Sequence, residues 1–212
     1  MVRAENQGNE GCLQRDSAER EGNAGARSIG KRETGEADGA DMLERLDREN
    51  LKRAYKRVRA NKGAPGIDGM SVEGALEWLK EHGEELLESI RSGKYKPSPV
   101  RRKEIPKGDG GLRKLGIPTV VDRIIQQAIA QQLSPIYEPL FWEGSYGYRP
   151  GRSAQMAILK VKEYAEQGYR YAVQIDLSKY FDTLNHELLM NMVREQIRDK
   201  RVTELIKKYL KS

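Results

Sequence analysis

The 212-residue sequence contains a single cysteine, Cys12, so neither an intrachain disulfide nor a cysteine-based zinc cluster can form within it. Histidine is nearly as scarce. His82 and His186 are the only two, neither lies in an HExxH-like pattern, and packing on a helix surface or at a cap is the expectation for both. No apolar run approaches the ~20 residues needed to span a bilayer. The opening MVRAENQGNEG has neither the charged flank nor the apolar core of an export signal, so the expected compartment is cytoplasmic, with no membrane partner.

Residues 1–40 lack aromatic side chains altogether while holding seven glycines and 14 charged residues. Little there can be buried to offset the entropy of ordering, so a flexible tail is expected. Its six basic and eight acidic residues leave it at −2. With the whole chain at +6, the remaining residues carry +8. A polyanion is the natural partner of such a body, although a charged surface also serves solubility, and location has to decide between the two.

The body opens with DMLERLDRENLKRAYKRVRA, where Leu43, Leu46, Leu51, Ala54, Tyr55 and Val58 recur at helical spacing and Asp41 is placed to cap the first turn. NKGAPGIDGMS interrupts it as a glycine-rich loop, either a plain connector or a loop that tracks nucleic acid, and Ser71 is set to cap a helix from Val72. Apolar periodicity then runs through Ala75, Leu76, Trp78 and Leu79. It resumes at Leu86, Leu87 and Ile90 after a break expected at Gly83.

VRRKEIPKGDGGLRKLGIPT reads as two short extended segments around the turn at 108–111, with Val100, Ile105, Leu112, Leu115 and Ile117 as apolar contacts. From Arg91 to Lys114 there are nine basic and two acidic residues, a net +7. Cations fixed on a ribbon neutralise neighbouring phosphates well, whereas a charged edge that blocks strand pairing is the plainer alternative. A helix follows with Ile124, Ile125, Ala128, Ile129 and Leu133 on one face, expected to end before Pro135. Its glutamines, Gln126, Gln127, Gln131 and Gln132, face either water or RNA. SYGYRPGRSA sets Tyr146, Tyr148, Arg149 and Arg152 around a turn that either stacks on bases and binds phosphates or only shapes the chain. Ser153 is set to cap the next helix.

In YRYAVQIDLSKYFDTL, Tyr171, Val173 and Ile175 alternate with Ala172, Gln174 and Asp176, the pattern of a strand with one buried face and Asp176 on the other. Asp176 is either a loop or capping carboxylate or part of a charged site, and Phe181 is spaced to form an apolar wall beside it. Beyond this, two amphipathic helices are expected, one through Leu188, Leu189, Met192 and Val193, the other through Val202, Leu205, Ile206, Tyr209 and Leu210. Asp199 is placed to cap the second.

Taken in order, NKGAPGIDG, RRKEIPKGDGGLRKLGIPTVVDRIIQQAI, SYGYRPGRSA and QIDLSKYFDTLNHELL resemble the amino-terminal part of a bacterial group II intron-encoded reverse transcriptase, or maturase, from residue 41 onward. The resemblance implies an α+β fold: the fingers of a right-hand polymerase with a truncated palm, helices packed around short antiparallel strands. It divides the chain into a tail (1–40), an N-terminal extension with fingers (41–145), and a fingers–palm junction with an incomplete palm (146–212). By the same resemblance, Asp176 is the first catalytic carboxylate and a Mg2+ ligand, and Leu177 offers its backbone carbonyl to metal. Lys107 and Arg113 contact the incoming nucleotide, and Phe181 packs under its sugar. Asn61, Lys62, Arg101, Arg102, Lys103, Tyr148, Arg149 and Arg152 are the RNA-binding candidates.

The implied partners are group II intron RNA, an RNA template with a DNA primer, and dNTPs. The family's second palm motif, an aromatic-Ala-Asp-Asp run, is not in the sequence, which reads as a truncation expected to bind RNA without polymerising. Apolar surface at a cut palm also favours self-association. A dedicated RNA-binding splicing factor is the alternative reading, and a purely structural interaction module the third.

Overall fold

The computed structural model describes residues 41–106, 108 and 110–212, all within one unit that runs from Gly35 to Ser212. The expected tail and Lys107 lie outside the described residues. Helix α1 (Arg48–Ala60) starts where the Asp47 carboxylate accepts the Asn50 N–H at 2.7 Å. Asp47 therefore caps the helix, and Asp41 sits in a turn whose Met42, Leu43 and Leu46 are buried. Leu46 and Leu51 occupy the N′ and N4 positions of a hydrophobic staple, both buried, which sets the entry angle of the chain.

Ser71 caps α2 (Val72–Arg91) through the Gly74 N–H at 3.0 Å, as its position implies. The break expected at Gly83 does not occur. A mid-helix glycine costs about 1 kcal/mol, less than the burial of Leu86, Leu87 and Ile90 beyond it returns. Likewise α3 (Val120–Tyr137), capped by Thr119, passes through Pro135. The proline falls in the final turn, and a 3-10 turn at Glu138–Leu140 follows directly.

Strands β1 (Arg101–Pro106) and β2 (Leu112–Ile117) pair antiparallel and form the only sheet among the described residues. Helices α4 (Ala154–Glu166), α5 (Tyr180–Thr183), α6 (His186–Gln196) and α7 (Lys200–Leu210) complete the order. The α+β class holds, with helices around one short antiparallel sheet.

The core lies between α1, α2 and α3, with Ile197 and the Val202 and Leu205 side chains of α7 packed into it. Two buried polar groups tie these elements together. Asn50 of α1 donates to the Ala128 carbonyl at 3.1 Å and accepts from the Gln131 side chain, which commits Gln131 to the interior. Asp199, the cap of α7, accepts the Leu43 N–H at 3.1 Å and the Arg201 guanidinium at 3.2 Å. Burial opposes the Asp199 charge, but the bonds from Arg201 and Leu43 prevail and hold its carboxyl below the usual range.

The strand expected at 171–176 is absent: these residues carry no regular secondary structure, and Val173 and Ile175 are 87% and 83% exposed. Alternation supplies a strand's two faces but not the neighbouring strand that must take its N–H and C=O groups, and no described strand lies beside it. The apolar hairpin contacts also differ from expectation. Ile105, Leu112 and Leu115 are exposed, because both faces of the two-stranded sheet meet solvent. In α6 it is Met190 that is buried, whereas Leu188 and Met192 lie outward.

Candidate nucleic-acid interface

The hairpin register sorts its charges. Arg101 pairs with Ile117, Lys103 with Leu115 and Ile105 with Arg113, and paired residues share a face with every second neighbour along each strand. One face thus carries Arg101, Lys103 and Arg113 among three aliphatic side chains, with no acid. On the other, Glu104 stands opposite Lys114, and Arg102 is opposite Gly116. Separating the cations of one face from the only strand acid makes a surface suited to successive phosphates. Of the sequence-derived candidates, the structure therefore brings Arg101, Lys103 and Arg113 together and sets Arg102 on the reverse face.

Loop 61–70 is pressed onto the start of α3. A Cβ added at Gly63 would stand 2.1 Å from the Arg123 guanidinium, and one at Gly66 would stand 2.6 Å from the Thr119 Cα. At Gly66 the neighbour is backbone, so only glycine permits the approach, whereas at Gly63 it is the end of the Arg123 side chain, which would have to move aside. Arg123 donates to the Ala64 carbonyl at 2.8 Å, and Lys62 adopts a positive φ of 44°. Between loop and helix opens a cleft of about 320 Å³ lined by Asn61, Lys62, Gly63, Arg123, Gln126 and Gln127 together with Val58 and Ala130. The lining is cationic and amide-bearing, without a carboxylate. Burial lowers the Arg123 pKa, and the Asp68 charge pulls the other way. Gln126 and Gln127 open into the cleft, while Gln132 is engaged with the Arg45 carbonyl. Arg123 escaped the sequence reading, its one signal being a charged pair, Asp122-Arg123, inside an apolar helical pattern.

The turn around Tyr148 is held from within. Arg149 donates to Glu138 Oε1 at 2.7 and 3.0 Å and to the Trp142 and Ser145 carbonyls at 2.7 and 3.1 Å. Its side chain is only 8% exposed, and its guanidinium lies 5.3 Å from the Phe141 ring centre. Arg149 is therefore engaged in shaping this turn, which leaves Tyr148, fully exposed at a φ of 56°, and Arg152, 5.4 Å from the Tyr146 ring centre, as the outward groups.

Asp176 and Leu177 lie in the exposed segment, and Phe181 is 82% exposed with its ring edge-on to Tyr180 at 5.4 Å. Lys179, at a φ of 50°, bends the chain between them. A carboxylate and a backbone carbonyl are hard oxygen donors of the kind Mg2+ takes. In number they fall short of a metal clamp, and no group of three or more metal-ligating side chains occurs among the described residues. The residues present therefore do not fit a Mg2+ site.

A basic ribbon, and a glycine loop folded onto the following helix beside a cleft lined by cations and amides, are surfaces suited to a polyanion. The family described as "Reverse transcriptase (RNA-dependent DNA polymerase)" matches residues 105–212. This chain belongs to that family. It is 41% identical over 168 residues to Protein YkfC of Escherichia coli K12, a match covering 76% of this chain and 44% of YkfC. It is 37% identical over 161 residues to the group II intron-encoded protein LtrA of Lactococcus lactis subsp. cremoris, covering 75% of this chain and 26% of LtrA. The putative COX1/OXI3 intron 2 protein of Saccharomyces cerevisiae matches at 34% over 162 residues, covering 75% of this chain and 18% of that protein. The resemblance to group II intron-encoded reverse transcriptases drawn from the motifs is borne out. The chain spans less than half the length of each of these relatives. Reverse transcriptases generally use Mg2+. Among the described residues, no helix is long and apolar enough to cross a membrane.

Proposed function

We propose that this chain serves an RNA-directed DNA polymerase that copies RNA with dNTPs and binds group II intron RNA to assist splicing and mobility, and that its own 212 residues bind RNA without polymerising. The observation that carries the binding is the acid-free hairpin face of Arg101, Lys103 and Arg113. An N-terminal extension with fingers over 41–145 and a fingers–palm junction with an incomplete palm over 146–212 form the functional division. Asn61, Lys62, Arg102, Tyr148 and Arg152 extend the RNA contact, whereas Arg149 acts by holding the turn. Lys107, outside the described residues, and Arg113 take the incoming nucleotide, with Phe181 under its sugar. Asp176 and the Leu177 carbonyl are the groups that would offer oxygen to Mg2+, and by themselves they do not complete a site for it. Two-metal phosphoryl transfer needs a geometry that one carboxylate and one carbonyl do not hold.

The exposed, unassembled setting of Asp176 equally suits a second reading, an RNA-binding splicing factor without polymerase activity. Filter binding of a structured RNA at three salt concentrations tests the binding. Neutralising Arg101, Lys103 and Arg113 together is expected to lower affinity and flatten the salt slope by about 3 units, against about 1 for Arg102 alone. Equal slopes for parent and triple variant would sink the reading. Primer extension with the 212 residues is expected to give no product. Product that disappears in Asp176→Ala would overturn the claim of catalytic incompleteness.

A further inference from the structure

Asp122 lies in the first turn of α3 and is 1% exposed. Each of its carboxylate oxygens carries two donors. Oδ1 accepts from the Tyr95 hydroxyl at 2.8 Å and the Tyr209 hydroxyl at 3.1 Å, and Oδ2 accepts from the Thr119 hydroxyl at 2.7 Å and the Ser98 N–H at 3.1 Å. Four donors fill the carboxylate's acceptor capacity. They come from three places: the connection that enters β1, the residue between β2 and α3, and the last turn of α7. In that turn the Lys208 ammonium also donates to the Gly93 and Tyr95 carbonyls at 2.8 and 2.9 Å. Ser98 precedes β1 by three residues, and Thr119 follows β2 by two. One side chain thus grips both roots of the ribbon.

Beyond those roots almost every described strand residue of the hairpin is exposed. A solvated two-stranded ribbon gains little stiffness from its surroundings, so its direction is set where it leaves the body. Burial, and then the Asp122 charge, push the Tyr95 phenol far above its usual range. Burial, and then Tyr95 and Asp122, do the same for Tyr209. Both hydroxyls therefore remain donors throughout the neutral range.

We propose that Asp122 is a positioning residue that fixes the angle at which the β1–β2 hairpin leaves the helical body, with α7 as the brace. Its functional weight rests on the reading of the hairpin as an RNA contact, since a swinging ribbon would present Arg101, Lys103 and Arg113 to phosphates over many directions and lose affinity to ordering entropy.

Nitroxide labels at Glu85→Cys on α2 and Glu104→Cys on β1, in the full chain carrying Cys12→Ser, report the hairpin angle as a distance distribution by pulsed electron resonance. Tyr209→Phe and Asp122→Asn are expected to broaden that distribution and shift its mean while helical content stays parental. RNA affinity at low salt is expected to fall by about tenfold or less, the size expected when some phosphate contacts are lost. Asp199→Asn, which weakens the cap of α7 without touching Asp122, is expected to lower the melting temperature and leave the distribution parental. Parental distributions in folded Tyr209→Phe and Asp122→Asn overturn the proposal, as does equal broadening in Asp199→Asn. Should Asp122→Asn fail to fold, Tyr209→Phe and Tyr95→Phe, each removing one hydroxyl, decide it. Broadening with unchanged RNA affinity supports the positioning role and overturns the hairpin's reading as an RNA contact.

Discussion

Residues 42–137, apart from the 61–70 loop and the hairpin, and residues 141–183 have similar apolar patterning and opposite fates. In the first stretch, Leu43, Leu46, Ala54, Ala75, Ile124 and Ile125 are essentially inaccessible. In the second, Trp142, Ile158, Leu159, Val173, Ile175 and Phe181 are all more than 60% exposed. The difference lies in what each element demands of its neighbours. A helix satisfies its own backbone and needs only one face covered, which three helices in sequence arrange among themselves. A strand needs a second strand before its side-chain pattern has any meaning, and α4, whose residues are all exposed or half-buried, likewise has no covering layer among the described residues. The helical body stands on contacts within the chain, whereas residues 141–183 carry an apolar pattern that no described element covers.

Truncations on the two sides should break this comparison most sharply. Ile125→Ala, in the fully buried seam of α3, is expected to cost about 2–5 kcal/mol in a denaturant titration, whereas Val173→Ala should stay within about 0.5 kcal/mol. A loss above 1 kcal/mol at Val173 would show that segment packed in solution.

Alkaline titration probes the seam between α7 and the hairpin roots. Both phenols are raised in the folded state, so the stability they contribute is present below the unfolded tyrosine value of about 10 and lost as pH rises beyond it. Melting temperatures are expected to hold through the neutral range and drop above about pH 10, less steeply in Tyr209→Phe. An unchanged slope in that variant would remove Tyr209 from the account.

Asp199 gives a loss smaller than that at Ile125. Its lowered pKa gives stability that is present above the unfolded aspartate value of about 3.9 and lost as pH falls through the folded one. Asp199→Ala should cost about 1–3 kcal/mol near neutral pH, since the Leu43 N–H loses its buried partner, and the difference from the parent should shrink in acid.

Helix caps and apolar faces were largely legible in the sequence, because both depend on residues within one turn: Ser71, Ser153 and Asp199 cap where their positions imply. The exceptions were long-range. Asp47 displaced Asp41 once Met42 and Leu43 found the core, and Gly83 and Pro135 failed to break helices whose packing outweighed local preference. The hairpin and its charge excess were legible, but its two unequal faces follow from a register that only pairing fixes. Asp122 and Arg123 went unread because their partners, Tyr95, Ser98, Tyr209 and Ala64, lie between 24 and 87 residues away.

The Arg149 turn has a consequence for chain length. Its guanidinium grips Glu138 on one side and two backbone carbonyls on the other, so the eleven positions that separate Glu138 from Arg149 are gauged by a rigid planar fork. A lysine has a single ammonium at the end of a flexible stem and cannot reach all three anchors at once. The span is thus calibrated like a buckle hole: one residue added or removed between Trp142 and Ser145 slides a carbonyl out from under the fork. Length, more than the identity of most side chains in this turn, is what the fold enforces there.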